Sequence, residues 1–485
     1  MSTSIKDYVS KHLSTFEDEL SQLVGQMSIS EGARGVTECA EILAGLVGRA
    51  GFQKVGSVPT GCLPGVWGFL DAGKPETLAV YAMFDGPPIS DPWKRDPHQP
   101  VLEPFGPYPR VMFGKGIGTK GPLMTFLWAL KALQETGGEL PFNIACVLEG
   151  EEWIGSTHYG DLVRQHRDKM RGCIGAISPA AGQSGGGGVS IGLGSKGCAY
   201  FELISSGAHW GKGPVTAQVH SSAQNVVHSP VWRLVEALNL LTEPGSAGLE
   251  VIVPGFYDGI RLPEGRERKL LQAIVASHGD VDWREVVPGV RGRGRITEIY
   301  KGLEGEELLQ RVLYYPTLNI NGLRAGYTGP DSSLFSLPGE AIARLDLRFG
   351  RDQRGKTLMA AIRRHLDDAG YDDIQILDKG THDWATASLD DAIVQGALAM
   401  YEERGLPVTI WPFQPAGAPL GEFCHQLDVP ALGGVGIGTT GKDGPDEFMV
   451  IEGNAAIAGI PEAAQFFADY LAEVSRVRSQ AVRSA

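Results

Sequence analysis

Carboxylate side chains follow two apolar segments of the chain, and carboxylates in such places can do acid–base chemistry. Asp85 follows the apolar run 77–84, which predicts a buried strand. The apolar segment 142–148 ends in an acidic run, whose carboxylates are Glu149, Glu151 and Glu152. Open α/β sheets place their chemistry beyond the carboxyl ends of strands, and crowded carboxylates raise one another's pKa, which suits a general base. A solvated acidic turn explains the acidic run equally well.

The glycine-rich segment 116–121 matches GxGxxG and precedes a predicted helix. A dinucleotide-binding loop would need a buried strand directly before it. Pro107 and Pro109 stand there instead, so the pattern favours a tight glycine loop. Such a loop can still present backbone N–H groups, with Lys115 or Lys120, to an anion.

Other candidate groups carry weaker signals. A lone histidine such as His220 is more often structural than catalytic, and the adjacent Cys424 and His425 point apart on a predicted helix, which argues against a dyad. No HExxH motif occurs.

Alternating strands and helices are predicted to position these residues, so we expect an α/β fold with a mainly parallel sheet. Segment 86–113 is predicted as a loop, and a final helix is predicted from Gly453 to about Val477. A smaller α+β domain interrupts the series. The predicted boundaries are 1–197 and 383–485 for the α/β domain and 198–382 for the inserted domain.

Composition limits the kinds of partner. The net charge of -14 disfavours nucleic-acid binding, which needs clustered Lys and Arg. The N-terminus lacks the apolar stretch of a signal peptide, and no apolar run is long enough to predict a membrane span. The six cysteines are scattered without a CxxC pair, which favours free thiols and a cytoplasmic location.

Several motifs together resemble the M20 family of metallopeptidases and amidohydrolases, over nearly the whole chain. The resemblance implies a zinc-exopeptidase-like catalytic domain and an inserted lid domain, and it predicts a homodimer formed through that lid. The matching segments are Asp85 with Trp93–Pro97, Glu149–Ser156, Gln218–Ser221, Val253–Asp258, Tyr327–Pro330 and Pro445–Glu447.

The family's five zinc-ligand positions are not matched by ligand residues. The bridging Asp falls in a loop that is one residue short, before Lys120. At the other four positions the chain has Met83, Trp153, Pro179 and Asp443. Met, Trp and Pro cannot replace His and carboxylate as zinc ligands. We therefore expect neither zinc nor another cofactor.

Other functional positions of the family are retained. The resemblance implies that Glu152 is the general base, that His220 polarises the scissile carbonyl, and that Arg348 grips a substrate carboxylate. Asp85 matches a residue that orients a ligand His. Further candidates are Lys120 for oxyanion stabilisation and Asn321, Glu151 and Asp443 for substrate binding.

Three functions remain open. The favoured one is a metal-independent, hydrolase-like enzyme that acts on a small carboxylate-bearing amide, ester or related acyl compound, with Glu152 or Asp85 as the base. Its reaction is hydrolysis or a non-hydrolytic variant such as elimination or acyl transfer. The second is an inactive member of the family that binds a small acidic ligand or a partner protein. The third is an ordinary dizinc peptidase or deacylase.

Overall fold

The computed structural model describes residues 4–279, 281–287, 296–329, 335–441 and 444–484. It divides the chain into two compact units. Unit 1 consists of Met1–Ser195 and Ala385–Ala485, and unit 2 is Lys196–Trp384. None of the helices in these ranges is both long and apolar enough to cross a membrane.

The helices vary from single turns to a long C-terminal helix. They are α1 (Ile5–Lys11), α2 (Leu13–Gly25), α3 (Val36–Arg49), α4 (Ile117–Glu135), α5 (Tyr159–His166), α6 (Gly207–Trp210), α7 (Pro230–Asn239), α8 (Gly265–His278), α9 (Trp283–Val286), α10 (Gly305–Tyr314), α11 (Gly355–Asp368), α12 (Ala392–Glu403), α13 (Gly421–Leu427) and α14 (Ile460–Ser484).

The strands form one large sheet and several small ones. They are β1 (Lys54–Val58), β2 (Gly65–Leu70), β3 (Thr77–Met83), β4 (Val101–Phe105), β5 (Tyr108–Phe113), β6 (Asn143–Glu149), β7 (Cys173–Pro179), β8 (Val189–Gly192), β9 (Gly194–Ser195), β10 (Gly197–Ser206), β11 (Val219–His220), β12 (Thr317–Ala325), β13 (Ser336–Leu337), β14 (Glu340–Phe349), β15 (Gln375–His382), β16 (Ala385–Thr386), β17 (Val408–Trp411), β18 (Ala431–Val435), β19 (Thr440–Gly441) and β20 (Phe448–Glu452).

The large sheet of unit 1 has the order β1-β2-β6-β3-β7-β18-β8-β17. Its centre is parallel, since β3 pairs in parallel with both β6 and β7, and β7 with β18. Strands β1 and β2 are antiparallel, so the sheet is mixed. Every residue of β6 is buried, as expected where helices cover both faces of a sheet. The predicted α/β fold class is confirmed.

Two predicted boundaries in unit 1 are wrong. Segment 86–113, predicted as a loop, contains the hairpin β4–β5, which pairs with β20 in a second sheet. The final helix starts at Ile460 rather than Gly453, because β20 and a turn take up the residues before it. Both differences come from long-range pairing, which local sequence patterns do not encode.

Unit 2 contains a four-stranded antiparallel sheet of order β12-β14-β10-β15. Alternate residues of β10 and β14, such as Phe201 and Leu345, are buried in an apolar core with residues of α7 and α11. The period of two along each strand turns the intervening residues to the opposite face. That face carries Cys198, Tyr200 and Arg348.

Candidate functional site

The ends of β3 and β6 bring the predicted carboxylates of unit 1 together. The two strands are parallel, and Met83 pairs with Glu149. The pairing continues beyond β3, where the Phe84 N–H donates to the Glu149 carbonyl over 2.9 Å. Asp85 and the acidic run therefore lie at the same edge of the sheet, as predicted for chemistry in this fold class.

Asp85 connects the end of β3 to the turn after β6. Its Oδ2 accepts a hydrogen bond from the Trp153 N–H over 3.0 Å, and its Oδ1 has no protein partner. The side chain is 2% exposed. Burial raises the pKa of Asp85 to about 6, and the bond from Trp153 opposes the rise. The carboxylate holds the short 3₁₀ turn Glu152–Ile154 in place.

Glu149 is buried beside this turn. It is therefore not part of a solvated acidic turn, the alternative that the sequence left open. It is 1% exposed and accepts hydrogen bonds from the Tyr81 hydroxyl at 2.5 Å and the Ser156 hydroxyl at 3.2 Å. Burial, and then the charge of Asp85, raise the pKa of Glu149 well above its usual range. Glu149 therefore acts as a hydrogen-bonded core group.

The other two glutamates of the acidic run have different surroundings. Glu152 is half-buried at the start of the 3₁₀ turn. Glu151 is buried, and its two oxygens lie 2.6 Å from the Thr60 hydroxyl and 3.0 Å from His158 Nδ1. A substrate that binds to Glu151 would have to displace these two contacts. Glu152 has a more exposed side chain than Glu151.

The glycine-rich segment opens α4. Gly116 adopts a left-handed conformation (φ 76°) before the helix begins at Ile117. The Lys120 ammonium is buried and donates to the carbonyls of Leu23 and Gln26 over 3.1 and 3.3 Å. These contacts direct Lys120 to the end of α2, so its side chain serves helix packing in this arrangement.

Three of the positions that correspond to the family's zinc ligands lie on helices or strands of the structure. Met83 ends β3, Pro179 ends β7 and is buried, and Trp153 is 41% exposed on the 3₁₀ turn. Asp443 lies outside the described residues. Within the described ranges, no three His, Cys, Asp or Glu side chains are placed to hold a metal ion. These residues do not fit the two-zinc ligand set that the resemblance implies.

Unit 2 supplies a separate polar cluster on the open face of its sheet. Arg348 donates to the Tyr200 hydroxyl over 2.9 Å and to Asp346 over 3.2 Å. Asn319 donates to Asp346 at 3.2 Å and to Asn321 at 2.5 Å. The structure thus links the predicted residues Arg348 and Asn321 through two intermediate side chains.

His220 has a different environment in unit 2. It is exposed on β11, and its Nδ1 lies 2.8 Å from the Ser222 hydroxyl. That contact is local to its own turn. The candidate residues therefore fall into two groups, one in each unit: Asp85, Glu151, Glu152 and Lys120 in unit 1, and His220, Asn321 and Arg348 in unit 2.

Sequence reasoning missed several side chains that surround the candidates. Asp346 had a usable signal, because polar residues at 346 and 348 alternate with Leu345 and Leu347 and so lie on one face. No sequence signal marked Tyr81 or Tyr200 as polar contacts of the site, since an aromatic residue in an apolar strand is typical of a core. Their hydroxyl groups acquire partners only through pairing with distant strands.

The chain thus combines a large α/β unit, which has carboxylates at its strand ends, with a sheet unit that carries a polar cluster around Arg348. The chain belongs to peptidase family M20/M25/M40, whose family model matches residues 85–473. The match confirms the predicted family. Because this is a peptidase family, it also confirms the prediction of a hydrolase-type enzyme.

Curated relatives match only part of their length. The Cys-Gly metallodipeptidase of Schizosaccharomyces pombe is 26% identical over 306 residues, which are 60% of this chain and 57% of that protein. The human Beta-Ala-His dipeptidase is 24% identical over 65% of this chain and 59% of its own length. The matches thus span less than two thirds of these relatives.

Solved structures match over nearly the whole chain. An M20 family metallo-carboxypeptidase from Sulfolobus solfataricus has a TM-score of 0.79 and 26% identity, and the match covers 95% of this chain and 99% of that one. The dipeptidase Dug1p of Saccharomyces cerevisiae has a TM-score of 0.77 at 19% identity, covering 98% and 99%. The second likeness supports the fold alone.

These comparisons correct two predictions. Metal-independent chemistry and the absence of zinc or any other cofactor are contradicted, because the relatives include a metallodipeptidase and a metallo-carboxypeptidase. The findings favour the third alternative, the ordinary metal-dependent peptidase. The erroneous inference rested only on the residue types at the positions that match the family's ligands.

Proposed function

We propose that this chain is a metal-dependent peptidase of the M20 family that hydrolyses small peptides with a free carboxylate. The observation that carries the proposal is the position of Glu152. It lies at the carboxyl edge of the sheet, on a turn that Asp85 holds through the Trp153 N–H. The names of the relatives, two dipeptidases and a metallo-carboxypeptidase, support the substrate class.

Glu152 is the proposed general base. Its carboxylate would take a proton from the attacking water and return it to the leaving amine. A fixed backbone matters here, because a base must stay within hydrogen-bonding reach of the proton that it moves. The Asp85–Trp153 bond supplies that constraint.

Arg348 is the proposed anchor for the substrate carboxylate. A guanidinium has five N–H donors, and the contacts with Asp346 and Tyr200 use its Nε and one Nη2 donor. The remaining donors can bind a carboxylate in the bidentate geometry that arginine favours. Asn321 and His220 are proposed to bind the rest of the substrate.

The metal requirement is carried over from the relatives. A divalent ion in such enzymes polarises the carbonyl and activates water. Since the described residues do not fit the family's ligand set, we assign no ligand and no step of the reaction to the ion.

The test is hydrolysis of Cys-Gly, β-Ala-His and a panel of other dipeptides by the full chain. We expect activity with added Zn²⁺, Mn²⁺ or Co²⁺, loss of activity with a chelator, and a decrease of at least about 100-fold for Glu152→Gln. Glu403→Gln is the control, because Glu403 is 69% exposed on α12. Absence of hydrolysis under all metal conditions, or full activity of Glu152→Gln, would refute the proposal.

A homodimer formed through unit 2 is part of the proposal. Strand β12 lies at an edge of its sheet, and exposed Ile320 and Leu323 (46% and 62%) project from it. Exposed apolar edge strands favour pairing with a second chain. Light scattering should give twice the chain mass, and Leu323→Lys should shift the protein toward the monomer.

A cytoplasmic location is also proposed. None of the six cysteines, all of which lie in the described ranges, forms a disulfide, which suits a reducing compartment. Fractionation of the source cells should recover the protein with cytosolic markers, and recovery with another compartment would contradict the proposal.

A further inference from the structure

A small polar cavity adjoins Asp85 in unit 1, where four segments of the chain meet. Its lining includes Asp85, His98 and Lys115. Backbone hydrogen bonds tie these segments together. The Gly86 N–H donates to the Ser28 carbonyl over 2.9 Å, and the Lys115 N–H donates over 2.8 Å to the carbonyl that precedes His98. The cavity therefore has walls of paired backbone.

Three polar atoms of the lining residues are buried without a hydrogen-bond partner in the part of the chain that the structure describes. They are Asp85 Oδ1 and the two ring nitrogens of His98. Asp85 is 2% exposed, and its other oxygen accepts from the Trp153 N–H. Buried polar atoms that lack a hydrogen bond are costly and uncommon in folded proteins. Their grouping around one cavity points to a small ligand that bonds to both side chains.

The charged residues among those that line the cavity are Asp85 and Lys115. The ammonium of Lys115 is close to the backbone at Gly86, since a Cβ atom there would lie 3.9 Å from Lys115 Nζ. The carboxylate repels an anion, and the ammonium repels a cation. The lining therefore favours a neutral ligand.

His98 contributes a neutral hydrogen-bonding group. The Asp96 carboxylate accepts the His98 backbone N–H over 2.9 Å and so fixes the chain at this position. Burial is the largest cause that lowers the pKa of His98. The charged groups that also act on its imidazole are Lys120, Asp96, Lys115 and Arg34. The lowered pKa favours the neutral imidazole, which has one N–H donor and one acceptor nitrogen.

The size of the cavity limits the ligand. Its volume of about 10 Å³ is close to the minimum that holds one water molecule. A water molecule both donates and accepts hydrogen bonds, so it can bond to the carboxylate and to the ring. We propose that one buried water molecule bridges Asp85 Oδ1 and a ring nitrogen of His98, which makes His98 a positioning residue for the proposed base Glu152.

The bridge acts on Glu152 through Asp85. His98 holds the water, and the water fixes Asp85 Oδ1. Asp85 Oδ2 in turn accepts from the Trp153 N–H, on the 3₁₀ turn that begins at Glu152. A catalytic group displaced by about 1 Å can lose about 100-fold in rate, so the orientation of this carboxylate matters to catalysis. The positioning role rests on the proposed function, whereas the bridge itself does not.

A direct bond from Ser30 is the competing arrangement. Ser30 is 3% exposed, and its hydroxyl has no hydrogen-bond partner within the described ranges. It is nevertheless near enough to Asp85 to lower the pKa of that carboxyl. A Ser30 hydroxyl that donated to Asp85 Oδ1 would make the water unnecessary. Ser30→Ala and His98→Phe therefore separate the two arrangements.

The first test is a crystal structure of the full chain at a resolution that shows ordered water. We expect one water molecule within about 3.2 Å of both Asp85 Oδ1 and a His98 ring nitrogen, and its loss in His98→Phe. The absence of this water from the wild type, an ion in its place, or a direct bond from Ser30 to Asp85 Oδ1 would overturn the proposal. The wild-type structure decides the matter should His98→Phe fail to fold.

The second test is hydrogen exchange of the Trp153 amide, measured by mass spectrometry of peptide fragments. His98→Phe should speed this exchange at least about tenfold, because the acceptor Asp85 loses its support. His98→Gln, whose amide can bond to the water, and Ser30→Ala should stay within about threefold of the wild type. His209→Phe, at an exposed position of unit 2, is the control. Unchanged exchange in His98→Phe, or faster exchange in Ser30→Ala than in His98→Phe, would overturn the proposal.

Kinetics test the positioning role. His98→Phe should lower kcat for a dipeptide at least about tenfold and leave KM within about twofold, because Arg348 is the proposed anchor of the substrate. His98→Gln should recover most of kcat. An unchanged kcat in His98→Phe would overturn the positioning role. If the chain hydrolyses no dipeptide, the proposed function fails, but the water position and the Trp153 exchange rate still decide whether the bridge exists.

Discussion

The Trp153 N–H donates a hydrogen bond to Asp85 Oδ2 over 3.0 Å, and this bond joins the end of β3 to the turn after β6. The turn carries Glu152, the proposed base. We therefore propose that Asp85 positions Glu152. The same carboxylate is buried, so its ionisation affects both the stability of the fold and the geometry of the turn.

Asp85→Asn should change how stability depends on pH. The folded pKa of Asp85 is raised from 3.8 to about 6, so the folded state binds the proton more tightly than the unfolded state. Stability should then fall by about 3 kcal/mol as pH rises through this window. Asparagine keeps the acceptor for Trp153 but cannot titrate, so this part of the fall should disappear.

The measurement is the free energy of unfolding in urea between pH 4 and 7 for the wild type and Asp85→Asn. Asp168→Asn is the control, since Asp168 is 84% exposed. If the free energy of unfolding changed with pH by the same amount in the wild type and in Asp85→Asn, the raised pKa of Asp85 would be contradicted.

Lys120→Met should destabilise the fold. The ammonium satisfies the carbonyls of Leu23 and Gln26 near the end of α2, and its loss leaves buried acceptors without partners. We expect a loss of about 1–3 kcal/mol in the free energy of unfolding. Lys94→Met, at an exposed position, should have no such effect. Unchanged stability with a decreased kcat would instead support the predicted oxyanion role.

Tyr81→Phe tests the hydrogen bond to Glu149. The hydroxyl donates to a fully buried carboxyl at 2.5 Å, and phenylalanine leaves that oxygen with only the Ser156 hydroxyl. The free energy of unfolding should decrease by about 1–2 kcal/mol. A decrease below about 0.5 kcal/mol, typical of an inconsequential surface change, would show that the bond contributes little.

Arg348→Lys should weaken substrate binding. Lysine keeps the charge but loses the planar fork, so KM for a dipeptide with a free carboxylate should rise about tenfold or more. A dipeptide amide should show no comparable change. Arg344→Lys, on the same strand, is the control. Equal effects of Arg348→Lys on the acid and the amide would exclude the proposed contact with the substrate carboxylate.

Local sequence patterns determined much of the fold and part of the site. The apolar runs at 77–84 and 142–148 identified the buried strands β3 and β6, and the acidic residues after them marked the edge where the candidate base lies. These predictions succeed because burial on both faces requires an unbroken apolar run. Motifs spread over nearly the whole chain, among them those around Asp85 and Glu152, indicated the peptidase family, which the comparison confirms.

Only the tertiary structure decided which distant residues meet. Cys198 is far in sequence from Arg348 and His382, its partners on the neighbouring strands. The hairpin β4–β5 pairs with the distant strand β20, and Asp85 is bonded to the distant Trp153. Local sequence patterns do not predict these contacts. The physical reason is that periodicity along a strand determines which face a residue occupies, whereas strand register and turn contacts depend on the packing of the whole unit. Burial, and with it the raised pKa of Asp85, is likewise a property of the assembled fold.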